Sequence, residues 1–164
     1  MKSNKNRNIV DATAGLGYDA FILASIGAKV TLIERSKKMY DILQNGINEG
    51  VAFGGEIEKI INRMDLLFGD SKDILPKLSP EVIMIDTMYR DRKKTALVKN
   101  NMRLVRKIVG PDSDYIELLK VALNCAKNRV VLKLPRYADP IKDIRKCSHQ
   151  IVGKTIRYDV FMIN

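Results

Sequence analysis

A glycine-containing turn flanked by carboxylates lies near the start of the chain. Residues 11–20 read Asp-Ala-Thr-Ala-Gly-Leu-Gly-Tyr-Asp-Ala, between an apolar run and a helical pattern. Glycines between a strand and a helix let the backbone approach a ligand at the helix start. Glu34 ends the next predicted strand, 19 residues after Gly15, where an acid typically holds both hydroxyls of an adenosine ribose. Gly15, Gly17 and Glu34 therefore predict a nucleotide-like cofactor.

The acids around this turn indicate the charge of that cofactor. Gly15, Gly17 and Ala20 also match the dinucleotide pattern, so NAD and S-adenosylmethionine both have to be weighed. Carboxylates beside the helix start repel a pyrophosphate, and Asp11 and Asp19 bracket the turn. S-adenosylmethionine carries an ammonium, a sulfonium and no phosphate, so these acids favour it over NAD.

A further acid, Asp70, follows the third predicted strand together with Ser71. This position suits the adenine amino group or atoms close to it. The same carboxylate is also a good cap for the helix that follows, and the two roles are compatible. Asp70 therefore joins the predicted cofactor site.

A candidate reaction site follows the fourth predicted strand, where residues 86–89 read Asp-Thr-Met-Tyr. The carboxyl edge of an open α/β sheet is where such folds bind substrates. The segment resembles the [Asp/Asn]-Pro-Pro-aromatic signature of amino-methyltransferases. By that resemblance Asp86 would orient a substrate amine and receive its proton, and Tyr89 would stack on a flipped-out base. Taken singly, a strand-end acid and a half-buried tyrosine are ordinary features of a fold.

Positive charge is concentrated directly after this site. The chain carries a net charge of +10, and residues 90–107 hold eight basic side chains against one acid, Asp91. Residues 96–109 predict an amphipathic helix with basic side chains on one face. A basic stripe is usually a solvated face, but its place beside a base-stacking candidate favours phosphate contacts, with RNA and DNA both open. The candidate phosphate ligands are Arg92, Lys93, Lys94, Lys99 and Arg103.

The elements that position these residues follow an alternating βα pattern. A chain of 164 residues, 46% of them hydrophobic, predicts one α/β domain over residues 1–164 with a mostly parallel sheet and helices on both faces. The last apolar runs leave no room for another crossover helix, which predicts an antiparallel C-terminal hairpin. Met64 is expected to extend the helical stripe of Ile57, Ile60 and Ile61. The predicted strands are 8–11, 29–34, 66–69, 82–86, 129–134, 150–152 and 156–163.

Other classes of protein are disfavoured. No apolar run approaches the length of about 20 residues that spans a bilayer, and the first residues lack a signal-peptide pattern, so we expect a cytoplasmic protein with no membrane partner. Cys125 and Cys147 occur without a CxxC motif or nearby histidines, which predicts free thiols and no metal site. Oligomeric state leaves no trace in the sequence.

Taken together, the motifs resemble the small-subunit ribosomal RNA methyltransferase J family, which methylates the exocyclic N2 of a guanosine in 16S rRNA. The resemblance implies a seven-stranded class I methyltransferase (Rossmann-like) sheet, S-adenosyl-L-methionine as cofactor, and 16S rRNA or the small ribosomal subunit as partner. It also implies cofactor contacts at Tyr18, Asp19, Glu34, Arg35, Ser71, Lys72 and Asp86. It rests on residues 11–17, 19–25, 32–35, 86–89, 92–99, 102–103, 109–110, 133–137 and 157–160.

Two features depart from the family pattern. Thr87 stands where members usually have proline. In the amino-methyltransferase signature that proline supplies a backbone carbonyl that accepts a hydrogen bond from the substrate amine, and without its fixed φ the carbonyl is held less firmly. Members also carry a segment before the first strand, whereas about seven residues precede it here. A piece of a longer enzyme and a short version of the family are both open. A methyltransferase for an adenine amine and an RNA-binding protein without turnover remain alternatives.

Overall fold

A computed structural model describes residues 7–86, 114–142 and 144–163, which build one seven-stranded sheet with its helices. In chain order the elements are β1 (Asn8–Asp11), α1 (Tyr18–Ser25), β2 (Lys29–Glu34), α2 (Lys37–Phe53), α3 (Gly55–Ile61), β3 (Met64–Phe68), α4 (Ser71–Ile74), β4 (Val82–Asp86), α5 (Tyr115–Cys125), β5 (Arg129–Pro135), β6 (His149–Val152) and β7 (Ile156–Met162). A short 3₁₀ turn, Leu75–Lys77, continues α4. The strand order is β3-β2-β1-β4-β5-β7-β6.

The sheet is parallel from β3 to β5 and antiparallel at its C-terminal end. The strand β1 pairs in parallel with β2 on one side and β4 on the other, and β4 pairs in parallel with β5. The last two strands form a hairpin, and β7 inserts between β5 and β6. This arrangement confirms the predicted mostly parallel α/β sheet with a closing antiparallel hairpin.

Hydrophobic cores lie on both faces of the sheet because successive strand residues point to opposite sides. Along β1, Val10 belongs to the core that includes α5, whereas Ile9 belongs to the core that includes α1. Along β2, Ile33 and Leu32 divide in the same way. The sheet is thus buried from both sides, which leaves its carboxyl edge as the place where polar side chains can meet.

The third strand begins earlier than the sequence predicts. Helix α3 ends at Ile61, and Met64 pairs with Val30 of β2 rather than extending the helical stripe. The Met64 side chain is buried in the core that includes Ile61, so its apolar character is compatible with both a helix and a strand at this position. The predicted helix over residues 96–109 lies outside the described residues.

Candidate functional site

The predicted site residues gather at one edge of the sheet. Asp11, Glu34 and Asp86 are the last residues of β1, β2 and β4, three neighbouring parallel strands. From β1 the chain continues to β2 on one side of it, and it later crosses to β4 on the other side. Such a reversal of strand order opens a crevice at the carboxyl ends of the strands. The geometry therefore places these three carboxylates around one crevice.

The two glycines of the turn have different physical roles. Both adopt positive φ angles, +53° at Gly15 and +73° at Gly17. A Cβ built on Gly17 would lie 2.9 Å from Leu43 Cδ1, so the packing of α2 and the positive φ together favour glycine here. A Cβ built on Gly15 would meet only the carbonyl oxygen of Thr13, at 3.8 Å. Open space at Gly15 is what a backbone approached by a ligand requires.

Glu34 ties the end of β2 to the glycine turn. Its Oε2 accepts a hydrogen bond from Gly15 N at 3.0 Å, and its Oε1 accepts one from Ser36 N at 2.7 Å. Burial raises the pKa of this carboxyl, while these backbone hydrogen bonds oppose the rise. The carboxylate is therefore held in one orientation beside Gly15.

Asp11 is the most deeply buried acid of the crevice, with 3% of its surface exposed. Burial raises its pKa from the ordinary 3.8 to about 7, although a hydrogen bond from Thr13 N at 3.1 Å opposes the rise. The charges of Asp86 and Asp19 raise the pKa further, whereas Lys133 lowers it. Asp11 thus gains or loses its proton near neutral pH, in response to the charges around it.

Asp86 is fixed by both its backbone and its side chain. Its backbone N donates to Thr13 Oγ1 at 2.7 Å, and its Oδ2 accepts a hydrogen bond from Lys133 Nζ at 2.9 Å. The same ammonium donates to Asp19 Oδ2 at 2.7 Å. Lys133 and Thr13 are not among the site residues predicted from the sequence. A lysine among the apolar residues of β5, next to the strand that carries Asp86, was the available signal.

A second charged cluster covers the adjoining edge of the sheet. Asp114, the residue directly before α5, accepts hydrogen bonds from Arg35 Nη1 at 2.9 and 3.1 Å and from Lys72 Nζ at 2.6 Å. The hydrogen bond from Lys72 holds the pKa of Asp114 below its ordinary value, and Arg35 acts in the same direction. The charged ends of two predicted cofactor ligands therefore contact an acid of the protein.

Ser71 and Asp70 complete the start of α4. Ser71 is buried, and its hydroxyl donates to the carbonyl oxygen of Ala12 at 2.6 Å, which links α4 to the turn after β1. Asp70 caps the helix by accepting a hydrogen bond from Lys72 N at 2.9 Å. The capping role that the sequence allowed for Asp70 is therefore present, and a ligand role stays a prediction.

The remaining predicted residues divide into two groups. Tyr18 begins α1 and is 65% exposed, so its ring is accessible at the glycine turn. The stacking candidate, the position occupied by Thr87 and the basic segment lie outside the described residues, and their roles stay predictions. These are Tyr89, Arg92, Lys93, Lys94, Lys99 and Arg103.

Residues 7–86, 114–142 and 144–163 contain neither a metal-binding cluster nor a membrane-spanning helix. No group of three His, Cys, Asp or Glu side chains there has a spacing that would hold a metal ion. None of the helices in that part of the chain is both long and apolar enough to cross a membrane. The chemical character of the crevice instead comes from Asp11, Asp19, Glu34, Asp70 and Asp86, a set that suits a cationic ligand with hydroxyl groups.

Known proteins are similar to this chain in sequence and in fold. A family model described as "Putative SAM-dependent methyltransferase" matches residues 1–163, where SAM denotes S-adenosylmethionine. A protein of Agrobacterium fabrum named ribosomal RNA small subunit methyltransferase J is 58% identical over 155 residues, covering 94% of this chain and 74% of that protein. A protein of the same name from Rhodopseudomonas palustris is 48% identical over 163 residues, covering 99% and 75%.

Solved structures agree with this relationship. The crystal structure of a SAM-dependent methyltransferase from Neisseria gonorrhoeae has a TM-score of 0.74 and 31% identity; the match covers 94% of this chain and 64% of that one. The magnesium protoporphyrin IX methyltransferase of Synechocystis, solved with bound SAM, has a TM-score of 0.60 and 17% identity, and shows the shared fold alone. With this fold and these relatives, the chain belongs to the ribosomal RNA small subunit methyltransferase J family of SAM-dependent methyltransferases.

Proposed function

We propose that this protein transfers a methyl group from S-adenosyl-L-methionine to the exocyclic N2 of a guanosine in 16S rRNA, as a single domain acting in the cytoplasm. The observation that carries the proposal is the position of Asp86, whose carboxylate is held beside the glycine turn at the crevice of the sheet. The relatives named ribosomal RNA small subunit methyltransferase J supply the rRNA substrate class. The resemblance of the sequence motifs supplies guanosine N2 as the acceptor.

The donor set of the crevice fits the cofactor. Bound S-adenosylmethionine supplies an activated methyl group on a sulfonium. Gly15 offers backbone with open space above it, and Glu34 holds a fixed carboxylate beside that space, suited to ribose hydroxyls. Asp19 adds negative charge near the turn, and Asp11 adds more when it is ionised, which favours the ammonium and sulfonium. We assign Asp70 to the adenine end of the site. We also assign Tyr18 at the glycine turn, Arg35 after β2, and Ser71 and Lys72 after β3 to the cofactor site.

Asp86 would act on the substrate amine. The lone pair of guanine N2 is delocalised into the ring, so transfer depends on aligning the amine and favouring its pyramidal form. A carboxylate that accepts a hydrogen bond from the amine aligns it and can receive the proton that the nitrogen loses. General-base assistance of this kind contributes about 10²- to 10⁴-fold. Because Thr13 fixes the backbone of Asp86, the carboxylate requires little reorganisation.

The segment after β4 would bind the RNA. The target base would flip out of the RNA stack, and Tyr89 would stack on it. In that position the edge of the base that carries the amine would face Asp86. The basic side chains that follow would contact phosphates and give binding its salt dependence. These side chains are Arg92, Lys93, Lys94, Lys99 and Arg103.

The test is transfer of a labelled methyl group to small ribosomal subunits that lack the modification. Naked 16S rRNA and DNA are incubated in parallel, and the products are digested to nucleosides. The proposal predicts label in N2-methylguanosine. Label in an N6-methylated adenine nucleoside would replace the proposed acceptor with an adenine amine. Binding of S-adenosylmethionine and RNA without transfer would indicate an RNA-binding protein that has lost turnover.

A further inference from the structure

Lys133 lies between Asp86, the proposed catalytic residue, and Asp19, which follows the glycine turn. In the sheet it stands opposite Asp86 of β4 on one side and Tyr158 of β7 on the other. Its neighbours Leu132 and Leu134 point into the core that includes α5, so Lys133 lies on the α1 side. That side is where the first turn of α1 presents Asp19.

One ammonium joins two carboxylates here. Lys133 Nζ lies 2.7 Å from Asp19 Oδ2 and 2.9 Å from Asp86 Oδ2. The lysine side chain is 20% exposed, and the carboxylates are 29% and 40% exposed. Burial alone lowers the pKa of Lys133, but its hydrogen bonds and charge interactions with the two acids outweigh burial and raise it. The ammonium therefore stays charged at all physiological pH values.

Several acids of the described residues surround this ammonium. Three carboxyl groups from three elements interact with it: Asp11 of β1, Asp19 of α1 and Asp86 of β4. Without Lys133, these carboxylates would lose its positive charge and keep the repulsion among themselves, and like charges favour protonation. A protonated Asp86 would no longer accept both a hydrogen bond and a proton from an amine.

We propose that Lys133 is a positioning residue that orients the Asp86 carboxylate, keeps it ionised and ties it to the cofactor-binding turn through Asp19. The catalytic part of this proposal rests on the proposed methyl transfer, whereas the electrostatic interaction of Lys133 with Asp19 and Asp86 does not. The proposal also predicts that cofactor binding and methyl transfer respond differently to the loss of Lys133. In Lys133→Met the lost positive charge and the protons gained by the carboxyls offset one another, so binding of a cationic cofactor should persist while transfer falls.

The direct test measures the carboxyl groups themselves, in the protein without cofactor or RNA. Carbon-13 NMR titrations of Asp86 and Asp11 are recorded for wild type, Lys133→Met and Lys133→Arg, with Asp86→Asn and Asp11→Asn assigning the signals. We expect both midpoints to move to higher pH in Lys133→Met and to return toward wild type in Lys133→Arg. Unchanged midpoints in folded Lys133→Met would overturn the proposal.

Two further variants keep this test decisive. Lys29→Met removes a lysine that is 66% exposed and pairs with Asp65 at 3.5 Å, and it should leave both midpoints in place. If Lys133→Met does not fold, Lys133→Gln retains amide donors without the charge. The same upward movement is expected there, and its absence would equally overturn the proposal.

Turnover provides the second readout. In labelled-methyl assays Lys133→Met should lose about tenfold or more of its activity near neutral pH and regain part of it as the pH rises. Its affinity for S-adenosylmethionine should not weaken. An activity deficit that is the same at every pH would contradict the ionisation role. Absence of transfer by wild type would instead refute the proposed function, and the titrations would still decide the electrostatic interaction.

Discussion

Replacing Asp11 by Asn should change how the stability of the protein depends on pH. The carboxyl is buried, and its pKa of about 7 in the folded protein compares with an ordinary value of 3.8. The folded state therefore holds this proton more tightly than the unfolded state. Stability is lost as the pH rises from about 4 to about 7 and stays level above that range. Asparagine cannot ionise, and its side-chain oxygen can still accept the hydrogen bond from Thr13 N.

The magnitude follows from the two pKa values. A difference of about 3 pK units corresponds to about 4 kcal/mol over the whole range, most of which falls between pH 5 and pH 8. Wild type should therefore lose about 3 kcal/mol relative to Asp11→Asn across that interval. Because both proteins carry all the other titrating groups, the difference between them reports Asp11 together with its coupling to Asp19, Asp86 and Lys133.

Urea denaturation of both proteins at intervals from pH 5 to pH 8 measures this difference. Asp65→Asn is a matched control, because it removes a carboxyl that is 58% exposed in β3. Its difference from wild type should vary by less than about 0.5 kcal/mol over the same interval. If the free energies of unfolding of wild type and Asp11→Asn depend on pH in the same way, the conclusion that burial raises the pKa of Asp11 would be refuted.

Three other predictions follow from the site. Gly17→Ala should destabilise the fold by about 1–3 kcal/mol, because the added Cβ would contact Leu43 and the backbone has a positive φ. The matched control Gly46→Ala lies in α2 with nothing within 4 Å of the added Cβ, and it should stabilise the fold by up to about 1 kcal/mol. Chemical denaturation compares the two variants. Ser71→Ala should cost about 1–3 kcal/mol in the same assay, since it leaves the Ala12 carbonyl without its donor. Neutralising the basic segment should flatten the dependence of RNA affinity on salt, by about 0.7 in the slope of log affinity against log salt for each phosphate contact that is lost. An unchanged slope would mean that the segment is a solvated face. The substituted residues are Arg92, Lys93, Lys94, Lys99 and Arg103.

The sheet could be predicted from the sequence because its strands are short apolar runs between helical patterns. The strands β1, β2 and β4 have the predicted bounds, since a turn or a charged residue follows each run. The start of β3 could not be predicted in the same way. Met64 fits the spacing of the preceding helix, and only its pairing with Val30 makes it a strand residue.

The candidate site was predictable where its residues are close in sequence and not where they are distant. The glycine turn and the acids that end β1, β2 and β4 belong to local motifs. The contact between Lys133 and Asp19 joins residues 114 positions apart, and it depends on the pairing of β4 with β5 and the packing of α1. The bridge from Asp114 to Arg35 spans 79 positions. Neither contact leaves a periodic trace in the sequence.

Methyl transfer by Asp86→Ala, measured together with cofactor binding, tests the central claim most directly. The variant and wild type are compared on the same small ribosomal subunits with labelled S-adenosylmethionine, and thermal denaturation checks that the variant is folded. The account predicts a loss of about 10²- to 10⁴-fold in transfer, with S-adenosylmethionine still bound. Near-normal turnover in a folded Asp86→Ala protein would contradict it, because the acid at the end of β4 would then have no part in the reaction.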